Sequence, residues 1–314
     1  MSARATRDAL GDELLALGRE RGEVYVVDCD VSKSCKTIPF SQELPGQQLN
    51  VGISEQNAVG IAAGLATAGK IPYVVTYAAF GSMRACEQIR QEACYPGLNV
   101  KIACSHGGVT PANDGASHQC VEDMGIMRTL PNMTVIMPAD YFSARKLIRE
   151  AADWKGPVYL RFTRDPIPEV YSEEETFTIG KAKLLRDGRE VALIANGDTV
   201  SIAIKAADRL EKEGVSVRVL DMHTIKPLDE EAVVCAVREC GNLITIEDHN
   251  IINGLGSAVC EVVAGLGCGK VRRIGVQDRF GESAPYEALL AINGITAEHI
   301  CEVARELINR EAAK

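Results

Sequence analysis

"IPYVVTYAAFGSMRACEQIRQEACYPGLNVKIACS" (residues 71–105) decides the fold, because it reads as strand, helix, strand. Apolar and β-branched residues run without alternation through 71–79 and again through 99–105, while 83–95 between them has a helical pattern. Unalternating apolar runs separated by a helix predict parallel strands buried on both faces.

The same rhythm extends outward in both directions. Residues 23–30 (EVYVVDCD), 133–139 (MTVIMPA) and 157–162 (PVYLRF) read as further strands, with helices expected over Thr6–Arg21, Glu55–Ala68, Met83–Tyr95 and Tyr141–Trp154. Thr163–Glu175 breaks the pattern with two X-Pro steps and an acidic cluster, and predicts a linker. Beyond it, Asp187-Gly188 predicts a hairpin leading into a new strand. Strands at Val215–Leu220, Leu243–Glu247 and Val271–Val276 then alternate with helices at Thr199–Glu213, Asp229–Glu239, Gly254–Gly265 and Thr296–Arg310. Thr296 stands as an N-cap, with Glu298 and Glu302 in the early turns of the last helix. The expected fold class is α/β, as two three-layer domains: 1–165, a linker over 166–185, and a smaller domain over 186–314.

A chain of 314 residues with 46% hydrophobic and 25% charged residues has the composition of a soluble globular protein. Its net charge of −9 argues against nucleic acid or an anionic membrane as the main partner. The opening MSARATRDALGDELLAL is a charged amphipathic pattern without a signal-peptide core, so a cytoplasmic location is expected. The eleven cysteines include no C-x-x-C pair and no histidine at ligand spacing, so reduced, mostly buried thiols and no metal site are expected.

Four clusters have chemical potential, and each has a plainer reading beside it. Glu55 follows Ser54 at the start of an Ala/Gly-rich helix, NVGISEQNAVGIAAGLATAG (50–69). An acid capped by Ser54 is an ordinary first-turn residue. Gly60, Ala63 and Gly64, however, suit the close approach of another backbone, which points to a site at an interface. Tyr77 and Phe80 follow a strand end, where open α/β sheets bind ligands, and two aromatics three apart either clasp a planar ring or fill the core. The loop SHGGVTPANDGASHQCVED (105–123) holds His106, Asp114 and His118 in a Gly-rich context. Imidazoles there are placed to exchange protons with substrate hydroxyls, although Asn113-Asp114-Gly115 is also an ordinary turn. Arg161 and Arg164 end the last strand before the linker, placed to meet an anion. His223 and His249, at strand ends in the second domain, read as structural or as supports behind the site, and no G-x-G-x-x-G, Walker, G-x-S-x-G or H-E-x-x-H motif occurs.

Together these segments, with MHTIKPLD (222–229) and EDHNIINGLGSAVCE (247–261), resemble the C-terminal part of the transketolase family over nearly the whole chain. The D-G-x-[ST]-H-Q stretch, followed by V-E and P-N-M, carries most of the likeness. The resemblance implies a pyrimidine-binding domain for thiamine diphosphate followed by a transketolase C-terminal domain. Glu55 matches the glutamate that hydrogen-bonds the cofactor's aminopyrimidine, Phe80 with Tyr77 its aromatic pocket, and Asp30 an acid near the cofactor. His106, Asp114 and His118 match residues that bind donor hydroxyls and assist proton transfer. Ser34 and Arg164, with Arg7 or Arg4 from the first helix, match an acceptor phosphate site.

A full-length family member also has an N-terminal domain whose Gly-Asp-Gly site holds Mg²⁺ and the diphosphate, and no such motif occurs here. The resemblance therefore implies one subunit of a split, two-chain transketolase in an α2β2 assembly, carrying a two-carbon ketol unit from a ketose phosphate to an aldose. Asn113 and Met83 depart from the family's common residues and leave the donor open between a pentose-pathway sugar and a modified anionic ketose. The alternatives are a beta-type subunit of a 2-oxoacid dehydrogenase, a deoxyxylulose-phosphate-synthase-like enzyme, or a non-catalytic assembly subunit.

Overall fold

The structure is a computed structural model that describes residues 3–312. Seven strands form the first sheet, in the order Thr224–Lys226, Thr134–Ile136, Val158–Arg161, Lys101–Ser105, Ile71–Tyr77, Val24–Asp28, Gln48–Asn50. All neighbours are parallel except the outermost pair, where Thr224 faces Ile136 in antiparallel register. Lys101–Ser105 is buried at every residue, as expected of a parallel strand covered on both faces.

The second sheet has five strands, ordered Lys270–Val276, Asn242–Asn250, Val191–Ala195, Val217–Asp221, Lys183–Arg186. The hairpin expected at Asp187-Gly188 does not form. Lys183–Arg186 skips its sequence neighbour and pairs antiparallel with Val217–Asp221. Gly188 instead lets two backbones touch, since a Cβ there would lie 2.2 Å from the Val217 carbonyl carbon. That outer strand lies largely inside the stretch expected to be linker. The second half also contributes Thr224–Lys226 to the first sheet, so the halves share one sheet as well as an interface.

The N-terminal helix, Thr6–Glu20, packs Leu10, Leu14 and Leu17 into the core. Its buried Glu13 is held by Arg145 and Arg149 of the helix Tyr141–Asp153, at 2.9 and 2.6 Å. That second helix starts at a full capping box, in which the Asp140 carboxylate accepts from the Ser143 amide and the Ser143 hydroxyl accepts from the Asp140 amide. The last helix, Ala297–Ala312, opens as the sequence predicts, with Thr296 Oγ1 accepting from the His299 amide.

Two expected details change where the chain turns toward the candidate site. The helix expected over Met83–Tyr95 begins earlier, as a π-helical turn over Phe80–Arg84. It resumes as three α-helical residues and ends in a second π-helical stretch, Ile89–Cys94. Gly81 permits that start, because a Cβ there would lie 2.4 Å from the Cys104 sulfur. The helix Glu55–Thr67 forms as expected, but Ser54 does not cap it: its hydroxyl donates back to the Val51 carbonyl at 2.8 Å. The helix buries Ala58, Val59, Ala62 and Ala63 and leaves Gly64 facing open space. Among the described residues no helix is long and apolar enough to cross a membrane, and all eleven cysteines are free, seven of them buried.

Candidate functional site

Parallel sheets offer their strand ends as binding edges, and the candidate residues gather at that edge of the first sheet. Tyr77 ends one strand and His106 follows the next, so their rings lie across neighbouring strands, 3.9 Å apart between centroids and inclined by 26°. Phe80 and His118 complete the cluster, at 5.8 and 6.0 Å from Tyr77 and 5.8 Å from each other. Tyr77, Phe80, His106 and His118, chosen separately from the sequence, thus meet in one aromatic group.

His106 is the most constrained of the four. It is 2% exposed and adopts φ +63°, a left-handed conformation that costs a non-glycine residue about 1–3 kcal/mol. Its Nδ1 shares a 2.7 Å hydrogen bond with Ser105 Oγ, which in turn lies 3.1 Å from Cys35 Sγ. Burial, with Arg7, Arg164 and His118 nearby, pushes its pKa down from 6.5 to about 3, so the imidazole is neutral at physiological pH.

The sign of the linkage follows directly. The unfolded chain takes up this proton near pH 6.5 and the folded one only near pH 3, so the stability His106 contributes is complete above 6.5 and declines as pH falls. His106→Gln is expected to flatten the acid limb of the stability curve between pH 6.5 and 4, by at most about 1.4 kcal/mol per pH unit. Urea unfolding at a series of pH values checks this; identical limbs in both proteins would show an imidazole that titrates normally.

Glu55 lies 2% exposed at the start of its helix, with both carboxylate oxygens accepting from Arg84 Nη1 at 2.9 and 3.0 Å. The Arg84 guanidinium carbon sits 4.5 Å from the Phe80 ring centroid, so one planar cation lies between the acid and the aromatic face. Arg84 escaped the sequence reading. The only signal for it is its place four residues after Phe80, in a π turn that the sequence does not announce.

The remaining candidates form a charged rim. Arg164 reaches Asp114 at 3.5 Å and Asp165 at 3.1 Å, and Arg7 donates to the Ser34 carbonyl at 3.1 Å. Asp30, exposed and also at positive φ, accepts from the Asn50 amide at 3.2 Å. Arg161 is not presented at the sheet edge to meet a ligand anion, correcting the reading from sequence; its anion is internal. It is fully buried, 2.9 Å from Asp123, and donates to the carbonyls of Cys120 and Asp248. His249 is structural, with Nε2 accepting from the Gly125 amide and Nδ1 lying 2.6 Å from the Asn250 carbonyl. His223 is buried against Thr224 and the edge of Phe177.

Two family descriptions match the chain in tandem: transketolase, pyrimidine binding domain, over residues 2–169, and transketolase, C-terminal domain, over residues 180–300. The chain belongs to the transketolase family, whose members depend on thiamine diphosphate. It is 44% identical over 308 residues to the putative transketolase C-terminal section of Methanocaldococcus jannaschii, covering 97% of this chain and 96% of that one. It is 40% identical over 306 residues to a 6-deoxy-6-sulfo-D-fructose transketolase subunit of Clostridium sp. strain MSTE9, covering 97% and 95% respectively. A solved split gene transketolase, described as an inactive beta4 tetramer, superposes with a TM-score of 0.90 at 43% identity, covering 98% of this chain and 99% of that one.

Proposed function

We propose that this chain is one subunit of a two-chain transketolase that moves a two-carbon ketol unit from an anionic ketose to an aldose, and that it works only with a partner subunit. The observation that carries the reading is the trio Glu55, Arg84 and Phe80. A planar group bearing N–H donors already lies against the Phe80 face while donating to a nearly dry carboxylate. An aminopyrimidine asks for the same pair of features, so these residues fit thiamine diphosphate. Bound there, that cofactor supplies the carbon nucleophile and electron sink that ketol transfer requires.

Glu55 would hold a proton at the aminopyrimidine ring nitrogen, with Arg84 yielding one or both of its hydrogen bonds. Phe80 and Tyr77 would fix the ring plane, and Asp30 would lie near the cofactor. His106, kept neutral by burial, can exchange hydrogen bonds with a substrate hydroxyl, and His118 lies 6.0 Å from the same Tyr77 ring. Asp114 would bind a donor hydroxyl, and Arg7, Ser34 and Arg164 would meet the anionic tail. Arg7 and Arg164 at that rim support a phosphate- or sulfonate-bearing sugar, and one relative is named for a sulfonated ketose of that class.

Relatives that this chain covers to 95–99% of their own length are named as a section or subunit of a transketolase or as a split gene transketolase, which supports a partner that holds the diphosphate and Mg²⁺. The likeness to a split-gene β4 assembly described as inactive agrees with that division of labour. Mixing this chain with an N-terminal transketolase subunit, thiamine diphosphate and Mg²⁺ is expected to give ketol transfer in an α2β2 complex. Each chain alone is expected to give none. Full turnover by this chain alone would overturn the two-subunit reading.

A further inference from the structure

The loop from His106 to Gln119 is held by the other half of the protein as well as by itself. Its neck closes through a pair of backbone hydrogen bonds between Gly108 and Cys120, at 2.7 and 3.0 Å. The side chain that fills the neck comes from the other half of the protein. Asp248, fully buried on the strand Asn242–Asn250, accepts the Val109 amide with Oδ1 at 3.1 Å and Oδ2 at 3.0 Å. The fit leaves no slack, because a Cβ on Gly108 would lie 1.8 Å from Asp248 Oδ2. Arg161 ties the same neck from below through the carbonyls of Cys120 and Asp248, and Asn250 donates its amide to the Val121 carbonyl at 2.7 Å. At the C-terminal end of the loop, Gln119 donates to the Glu282 carbonyl at 2.8 Å, again in the second half. Within the loop the same amide donates to Ala112 at 3.0 Å.

We propose that Asp248 is a positioning residue for ketol transfer, setting the His106–His118 loop against the donor sugar from the second domain. The inference rests on the functional reading above. Asp248 touches neither cofactor nor sugar; it fixes Val109, and through it the spacing between His106 at one end of the loop and Asp114 and His118 at the other. Loosening the neck therefore weakens the grip on the hydroxylated tail of a ketose and leaves Glu55 in place, since Arg84 and not the loop holds it. No group is transferred to Asp248 at any point.

The test uses Asp248→Leu, which keeps a similar volume and removes both acceptors, in the complex assembled with the partner subunit, thiamine diphosphate and Mg²⁺. Hydrogen exchange at the Val109 amide is expected to quicken about tenfold or more. The kcat/KM for a ketose phosphate donor is expected to fall about tenfold or more. That for hydroxypyruvate, which brings the same two-carbon unit without a hydroxylated tail, is expected to change less than about twofold. The dissociation constant for thiamine diphosphate is expected to stay unchanged. Equal losses with both donors, or unaltered exchange at Val109, would overturn the assignment. Should the buried substitution prevent folding, Gln119→Met releases the C-terminal end of the same loop from Glu282 and Ala112 and carries the same two-donor comparison. A wild-type complex without ketol transfer would instead sink the functional reading, while exchange at Val109 still reports whether Asp248 holds the loop.

Discussion

Glu55→Gln, in the complex with the partner subunit, is expected to lower kcat by about a hundred- to ten-thousand-fold, the range associated with losing a positioned proton-transfer group. Glutamine keeps the size and one acceptor oxygen but cannot carry the charge proposed to hold a proton at the cofactor ring. The substitution leaves the fold intact, because the Arg84 side chain is 49% exposed and turns to water once its anion is gone. Steady-state rates with a fixed donor, alongside circular dichroism and a thermal melt, separate the chemical loss from unfolding. Near-normal turnover in a folded variant would remove Glu55 from the mechanism.

The other large effect is on stability. Arg161→Met is expected to destabilise the protein by about 3–5 kcal/mol, the cost of breaking a buried ion pair from one side. Arg161 is the cation that Asp123 faces at 2.9 Å, and it also satisfies two carbonyls on separate segments. Methionine replaces the volume of the side chain but none of its donors, so a carboxylate and two acceptors stay buried without them. Burial also pushes Asp248 well above its usual carboxylate range, and the guanidinium opposes that shift, so losing Arg161 favours the protonated acid. Urea unfolding measures the change; a difference under about 1 kcal/mol would mean the site relaxes by admitting water.

The sheets were legible in the sequence because their strands are buried on both faces. Runs such as Ile71–Tyr77 and Val191–Ala195 need no partner information to be read as parallel core strands. Thr224–Lys226 was not legible: three residues carry no periodicity, and their pairing with Thr134–Ile136 is set by tertiary contact. Asp187-Gly188 misled for a related reason, since a glycine needed for close packing has the same letter as one needed for a turn. At the site, aromatic and histidine residues at strand ends could be named, because strand ends are binding edges in any parallel sheet. Arg84 and Asp248 could not, because each acquires meaning only from a contact 29 or 139 residues away along the chain.

The strand Thr224–Lys226 has a consequence for anyone who would exchange modules among related chains. A cut in the Pro-containing stretch around residues 163–175 looks natural on paper. It would nevertheless strip the outer neighbour from Thr134–Ile136 and leave a bare row of donors and acceptors open to stray pairing. A cut after Lys226 fares no better, because it parts Val191–Ala195 from its neighbour Asn242–Asn250 in the second sheet, so a swap that spares both sheets has to carry the two halves together.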